Sequence, residues 1–449
     1  MKISEIRGFF GNRTVDLDFE RPDGGYAGWT VIAGRNGAGK TSLLRAIALT
    51  LAGSAVSQTL APEYTTWRSS TQAAGVIKAD FYLDAEESSS VIVSSESPAP
   101  GIHAGVQVKL PIRRESKLKS GVRGTITSEW MEVVVPRDED DEGKPTAVTD
   151  ILFAAGYGAF RRLSREVSDS RHDSDVLERA SRFSTLFNED SSLTEGVAWL
   201  VGLYLRGLEG ETEAESVLET VLNLMGDGLL PDGFTVDRVN SGGLWVSRGG
   251  RSFPLREMSD GYRTVSALVL DLVRHLFAHY GNLNVAHREN GISIDQPGVV
   301  LIDEIDAHLH VSWQMRVGEW LKEHFPSIQF IVTTHSPYIC QAADPAGLIR
   351  LPGPDEEAPV EIVDAEMYQR IVYGSGDDAA LSSLFGIDSP YSKRAEKARR
   401  DLVDLEEKVL SGEATELEVA RYEDLSRRLS SSLSARVDEV AARLGSCDD

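Results

Sequence analysis

The octet Gly34-Arg35-Asn36-Gly37-Ala38-Gly39-Lys40-Thr41 leaves this chain little choice of fold. Its glycines let backbone N–H groups turn inward, and a helix starting behind them aims its positive end at the same point. The flanks agree with that reading. Thr30-Val31-Ile32-Ala33 is a short β-branched run, and Leu43, Leu44, Ile47 and Leu51 recur behind the loop at helical spacing. A loop of this pattern binds phosphate, with Lys40 reaching β- and γ-phosphate oxygens and the Thr41 hydroxyl placed on Mg²⁺. Asn36, Gly37, Ala38, Gly39, Lys40 and Thr41 are the candidate nucleotide-binding residues. The competing reading is a glycine-rich turn without a ligand, against which the strand and helix on either side both argue.

A second feature is the apolar strand Val299-Val300-Leu301-Ile302, which ends on Asp303-Glu304. Unpaired buried charge is costly, so something cationic or reactive is expected beyond such a strand. Alone, the acidic pair reads equally as a solvated strand end. Together with the phosphate loop, Asp303 becomes the residue that holds Mg²⁺ through its hydration shell. Glu304 becomes the base that takes a proton from the attacking water. Three motifs accompany the pair. Met258-Ser259-Asp260-Gly261-Tyr262 opens a helix with Ser259 at its natural N-cap position. Asp306-Ala307-His308-Leu309-His310 follows the acids directly, and Val332-Thr333-Thr334-His335-Ser336-Pro337 ends the next buried strand on a histidine.

Strands alternating with helices on both sides of these motifs predict an α/β fold, with a parallel or mixed sheet covered on both faces. Alternating runs at 79–84 and 106–110, with a β-branched run at 91–93, predict an antiparallel sheet with loose connections between residues 54 and 150. Helical faces are expected at Leu177, Ala180, Phe183, Leu186 and Phe187, and at Val197, Leu200, Val201 and Leu205. Short strands return at 234–254, and helices follow at 260–280 and 311–324, the latter packing through Trp313, Val317 and Trp320. The tail from 389 reads as a helical hairpin turning at Ser411-Gly412.

With 46 basic and 70 acidic residues among 449, the net charge is −24, so a general nucleic-acid or membrane-surface binder is excluded. Local basic clusters remain at Arg113, Arg114, Lys117, Lys119 and Arg123, and at Lys393, Arg394, Lys397, Arg399 and Arg400. The first reads as a nucleic-acid contact or as a solvated hairpin face, and the second, with Asp401, Asp404, Glu406 and Glu407 on the same helix, as solvent-facing ion pairs. Two cysteines, Cys340 and Cys447, form no disulfide framework. The residues after Met1 lack an apolar h-region and no run of 18 apolar residues occurs, which predicts a cytoplasmic chain with no membrane contact. His308 and His310 lack a third ligand for a metal site.

Taken in this order, the five motifs resemble the soluble ATP-binding-cassette ATPases of the SMC/RecF type, with the match strongest over residues 1–53 and 250–350. Further runs, among them Gly156-Tyr157-Gly158-Ala159-Phe160-Arg161-Arg162, look like the bacterial ATPases of anti-phage systems such as Septu and PARIS. The resemblance implies an ABC-ATPase head with an antiparallel β subdomain (1–160), an inserted mainly helical lobe (161–255), a second part of the head (256–388) and a C-terminal helical hairpin (389–449). It implies ATP and Mg²⁺ as ligands, with metal residues Thr41 and Asp303 and catalytic residues Glu304 and His335, the latter as the switch histidine. Ser259, Asp260 and Gly261 would cap the γ-phosphate held by a second copy in a head-to-tail homodimer or higher oligomer, with Asp306 at the seam. It further implies a separate effector, such as an HNH or TOPRIM nuclease, and nucleic-acid contact directly or through that effector. The alternative it leaves open is a DNA-repair or chromosome-maintenance ATPase acting on DNA itself. Two departures stand out: the signature carries Asp260, and the run 153–162 occupies the place of the family's glutamine loop without a glutamine.

Overall fold

The computed structural model describes residues 2–10, 13–61, 76–83, 102–109, 131–134, 152–161, 175–188, 193, 195–230, 232–288, 291–385 and 391–429. The basic cluster at 113–123, the run at 91–93 and the tail beyond 429 lie outside these residues. Two compact units divide the chain, Met1–Gly386 and Ile387–Asp449.

In chain order the strands are β1 (Lys2–Phe10), β2 (Arg13–Asp18), β3 (Gly28–Ala33), β4 (Val76–Leu83), β5 (Ile102–Lys109), β6 (Met131–Val134) and β7 (Ala154–Tyr157), followed by β8 (Thr235–Asn240), β9 (Gly243–Arg248) and β10 (Arg251–Pro254). The last six are β11 (Val285–Arg288), β12 (Gly291–Ile294), β13 (Gly298–Ile302), β14 (Ile328–Thr334), β15 (Leu348–Arg350) and β16 (Glu361–Ile362). The central sheet runs β16-β15-β3-β14-β13-β7. All its pairs are parallel except β15 with β16, so the sheet is mixed. Apolar residues on successive positions bury both faces, as a parallel sheet requires. Trp29, Val31, Val300, Ile302, Phe330 and Val332 enter one core. Ile32, Val299, Leu301 and Ile331 enter the other, under the helix Lys40–Leu60.

Register decides where the chemistry sits. Ala33 pairs with Thr334, and Val332 pairs with Ile302. The carboxyl ends of β3, β14 and β13 therefore share one edge, and Gly34, His335 and Asp303 are the residues that leave it. In open α/β sheets that edge is where ligands bind.

The antiparallel β subdomain is a five-stranded sheet in the order β2-β1-β4-β5-β6. Within 161–255, the helices Glu195–Leu208 and Thr212–Gly226 and the sheet β10-β9-β8 send Leu200, Leu203, Val221, Leu224 and Val246 into the same core as Trp29. Three local expectations are corrected. The buried face of Glu195–Leu208 is Gly196, Leu200 and Leu203, while Leu205 is exposed: Gly196 backs onto Leu270, and Leu200 and Leu203 enter the main core. Leu177 is likewise exposed, since Asp175–Ser181 ends before Phe183 and a separate turn, Ser184–Phe187, buries Leu186. The expected helix 311–324 divides into Val311–Gln314 and Val317–His324. Arg316 N bonds to Trp313 O at 2.9 Å, a tighter three-residue closure, with Arg316 at φ −117°. Trp313, Val317 and Trp320 are buried on both sides of that break.

In the second unit, Lys393–Ser411 and Glu416–Leu429 form the hairpin, turned by Gly412 in the left-handed region at φ 74°. Arg421 pairs with Asp401 at 2.9 Å and Lys408 with Glu418 at 2.7 Å across the two helices. Among the described residues no helix is long and apolar enough to cross a membrane.

Candidate functional site

The phosphate loop starts where β3 ends and closes on the first turn of Lys40–Leu60. Gly37 and Gly39 stand at φ 77° and 95°, a region that strains any side chain. Alternation of this kind builds an anion-binding concavity from backbone N–H groups. Asn36 and Gly37 are exposed at the lip, and Ala38 is buried beneath them with its N–H on Arg35 O at 3.2 Å. Lys40 is only 6% exposed, and its ammonium donates to Gly34 O at 2.9 Å and Arg35 O at 3.2 Å. Burial lowers its pKa, while Asp303, Glu304 and Asp306 pull the other way.

Thr41 follows, and its Oγ1 donates to Asp303 Oδ2 at 2.7 Å, joining two motifs 262 residues apart. Asp303 is 4% exposed and takes a second bond on Oδ1 from Thr333 Oγ1 at 2.5 Å. A hydroxyl and a carboxylate side by side fit a hard cation such as Mg²⁺, which keeps several waters and phosphate oxygens of its own. Among the described residues no three His, Cys, Asp or Glu side chains gather to hold a metal.

Glu304 sits half-buried at φ 44°, unusual for a side chain of its size. Its N–H donates to Thr333 Oγ1 at 2.8 Å, and its carbonyl accepts from Arg161 Nη2 at 3.0 Å. Asp306 faces the same corner: its Oδ1 accepts from Thr334 Oγ1 at 2.5 Å and from His335 N at 3.3 Å. Gln314 ties the two loops again, donating to Leu309 O at 2.9 Å and accepting from Ser336 Oγ at 2.7 Å. Burial first, and the Lys40 charge second, press the His335 pKa below the usual histidine value, while Asp306, Glu304 and Asp303 pull the other way. His310 accepts from Ser312 N at 3.4 Å at the start of its short helix, which accounts for it structurally.

The helix Asp260–Tyr280 begins with Ser259 at the N-cap, at φ −63° and ψ 158°. Ser259 thus occupies the N-cap position expected of it, although its exposed hydroxyl makes no capping bond and its carbonyl accepts from Arg263 N at 3.2 Å. Asp260 is ion-paired with Arg263 one turn on. Tyr262 donates to Asp232, and burial followed by that bond pushes the phenol up to about 12. Gly261 lies against the loop after the acidic pair, where an added Cβ would stand 2.6 Å from His308 O. Gly261→Ala is therefore expected to destabilise the fold by about 1–3 kcal/mol through overpacking against backbone. An unchanged urea midpoint would show that this approach is not tight.

The structure thus brings Lys40, Thr41, Asp303, Glu304, Asp306 and His335 into one corner at the sheet edge. It places Ser259, Asp260 and Gly261 on a helix tip that meets this corner's outer loop through His308. Thr333, Thr334, Gln314 and Arg161 belong to the same network, although no role of their own is read for them from the sequence. The threonines stand in the run that ends on His335, but nothing local to that run tells which side chains they bond.

A family model described as "AAA domain, putative AbiEii toxin, Type IV TA system" matches residues 29–341. Septu protein PtuA of Bacillus mycoides (strain KBAB4) is 28% identical over 334 residues, 74% of this chain and 38% of that protein. Retron Ec83 probable ATPase of Escherichia coli is 40% identical over 101 residues, 22% of this chain and 17% of that protein. The chain therefore spans well under half the length of these relatives. Among solved structures, an SmcHead bound to the C-winged helix domain of ScpA covers 81% of this chain and 96% of its own, at 17% identity and TM-score 0.44.

Proposed function

Since the chain belongs to this AAA-domain family, we propose that it binds ATP with Mg²⁺, hydrolyses it between two copies of itself, and thereby governs a separate effector in cytoplasmic anti-phage defence. The observation that carries the reading is the 2.7 Å bond between Thr41 and Asp303, which unites the phosphate loop with the acidic strand end. The defence context is supported by relatives that carry the names Septu and retron.

On this reading the loop amides of Asn36–Thr41 and the Lys40 ammonium hold the β- and γ-phosphates. Thr41 and Asp303 would hold Mg²⁺, which supplies neutralisation of phosphate charge. Glu304 orients the attacking water and accepts its proton as the water oxygen bonds to the γ-phosphorus and the bond to the ADP oxygen breaks. His335 donates a ring N–H to a γ-phosphate oxygen. From the second copy, Ser259 and the first amides of its helix complete the enclosure. The Asp260 carboxylate, already paired with Arg263, brings an ion pair rather than a bare negative charge to that seam. At −24 per chain, nucleic-acid contact falls to the effector, for which an HNH or TOPRIM nuclease is the proposed type.

Complementation tests the shared site. Lys40→Ala and Ser259→Arg chains should each be inactive alone. Mixed in equal amounts, they form heterodimers with one intact composite site, recovering roughly a quarter of wild-type phosphate release. No recovery, with both chains folded and mixing demonstrated, would reject catalysis across the seam.

A further inference from the structure

Arg161 is 2% exposed, and its guanidinium meets main-chain carbonyls in place of a carboxylate. Nη1 donates to Gly158 O and Asp303 O, both at 2.7 Å. Nη2 donates to Glu304 O at 3.0 Å and Ile305 O at 3.3 Å. Three consecutive carbonyls, those of residues 303 to 305, therefore converge on one planar cation brought from 142 or more residues away. Such convergence requires the chain to curl sharply, and the curl is visible as the left-handed backbone of Glu304. A non-glycine residue in that region costs about 1–2 kcal/mol and persists only where its surroundings over-determine it.

The surroundings do so from both sides. Thr333 Oγ1 takes the Glu304 N–H, Thr333 O takes the Ile305 N–H at 3.1 Å, and Arg161 takes the carbonyls. The far end of the clamp is fixed as well. Gly158 follows β7, which pairs with β13, and Asp303 N donates to Tyr157 O at 2.7 Å. An added Cβ at Gly158 would stand 2.0 Å from Thr185 O, so this segment has no room to shift. Burying a guanidinium is expensive, and burial brings its pKa down to about 10 against the pull of Asp303, Asp306 and Glu304. A merely space-filling role would be met at lower cost by an apolar residue.

We infer that Arg161 is a positioning residue for hydrolysis, holding the strained turn from which the Glu304 carboxylate reaches the water. The inference rests on the proposed ATPase reading and adds to it a part for the segment where the family's glutamine loop was expected. Lysine replaces the fork only in part: one ammonium has three N–H groups on a single point, where Arg161 spreads four bonds over two nitrogens.

The test compares Arg161→Lys and Arg161→Met with wild type, measuring the stoichiometry and affinity of a fluorescent ATP analogue beside phosphate release per bound site. Misplacement of a catalytic group by about 1 Å costs on the order of 100-fold, so Arg161→Met is expected to lose about that much kcat per occupied site. Its affinity should stay within about three-fold, and Arg161→Lys should recover part of the rate. If either variant turns over normally per occupied site, or if only the stoichiometry falls, Arg161 is structural and the inference is overturned. Wild-type turnover insensitive to Glu304→Gln would instead remove the ATPase reading, and this inference with it.

Discussion

Lys40→Ala is expected to abolish ATP binding at working concentrations. The ammonium lies buried at the base of the phosphate loop, where two of its three N–H donors rest on Gly34 O and Arg35 O. Three carboxylates, those of Asp303, Glu304 and Asp306, surround it and oppose the lowering of its pKa by burial. Removing the cation deprives the phosphates of a charge-assisted donor and leaves the three acids facing them without a counterion. Losing one partner of a buried charge pair costs about 2–5 kcal/mol, which corresponds to a rise of roughly 30- to several-thousand-fold in Kd. Equilibrium dialysis with labelled ATP reads the effect. Affinity equal to wild type would rule Lys40 out as a phosphate ligand and the proposed site with it.

Glu304→Gln is expected to separate binding from turnover. The amide keeps the shape of the side chain, and the backbone bonds to Thr333 and Arg161 do not involve the carboxylate. ATP should still bind, while loss of the general base lowers phosphate release by about 10²- to 10⁴-fold. If two copies share each γ-phosphate, as proposed, the unhydrolysed nucleotide should then hold them together. Light scattering with ATP and Mg²⁺ should report a dimer or larger assembly that wild type forms only transiently. Phosphate release unchanged from wild type would remove Glu304 from the reaction. Loss of release without added assembly would refute the part of the reading in which ATP joins two copies.

Much of the site was legible because its chemistry is local in sequence. A phosphate loop needs its glycines and lysine within eight residues, since backbone N–H groups of one turn must converge. A strand of four apolar residues ending on two acids likewise announces itself without reference to the rest of the chain. Helix faces were harder to read. In Glu195–Leu208 both Leu203 and Leu205 are apolar, and only the way the helix docks, with Gly196 against Leu270, decides that Leu203 enters the core. The hairpin β11–β12 carried little alternation and was not anticipated. The Ser259 hydroxyl shows the same limit from the other side, because composition places a serine at an N-cap without determining that it will make the bond.

What the sequence by itself determined is the inventory: a phosphate-binding turn, an acidic strand end, a helix opening on Ser-Asp-Gly, and the alternation that makes an α/β sheet. Those features depend on contacts a few residues apart, which residue order alone sets. What only the tertiary structure decided is their registration. The pairing of Ala33 with Thr334 and Ile302 with Val332 levels three strand ends, and the Thr41–Asp303 bond and the Arg161 clamp then close across 262 and 142 residues. Such contacts arise from the packing of both sheet faces, a property of the whole core that no short stretch of residues carries.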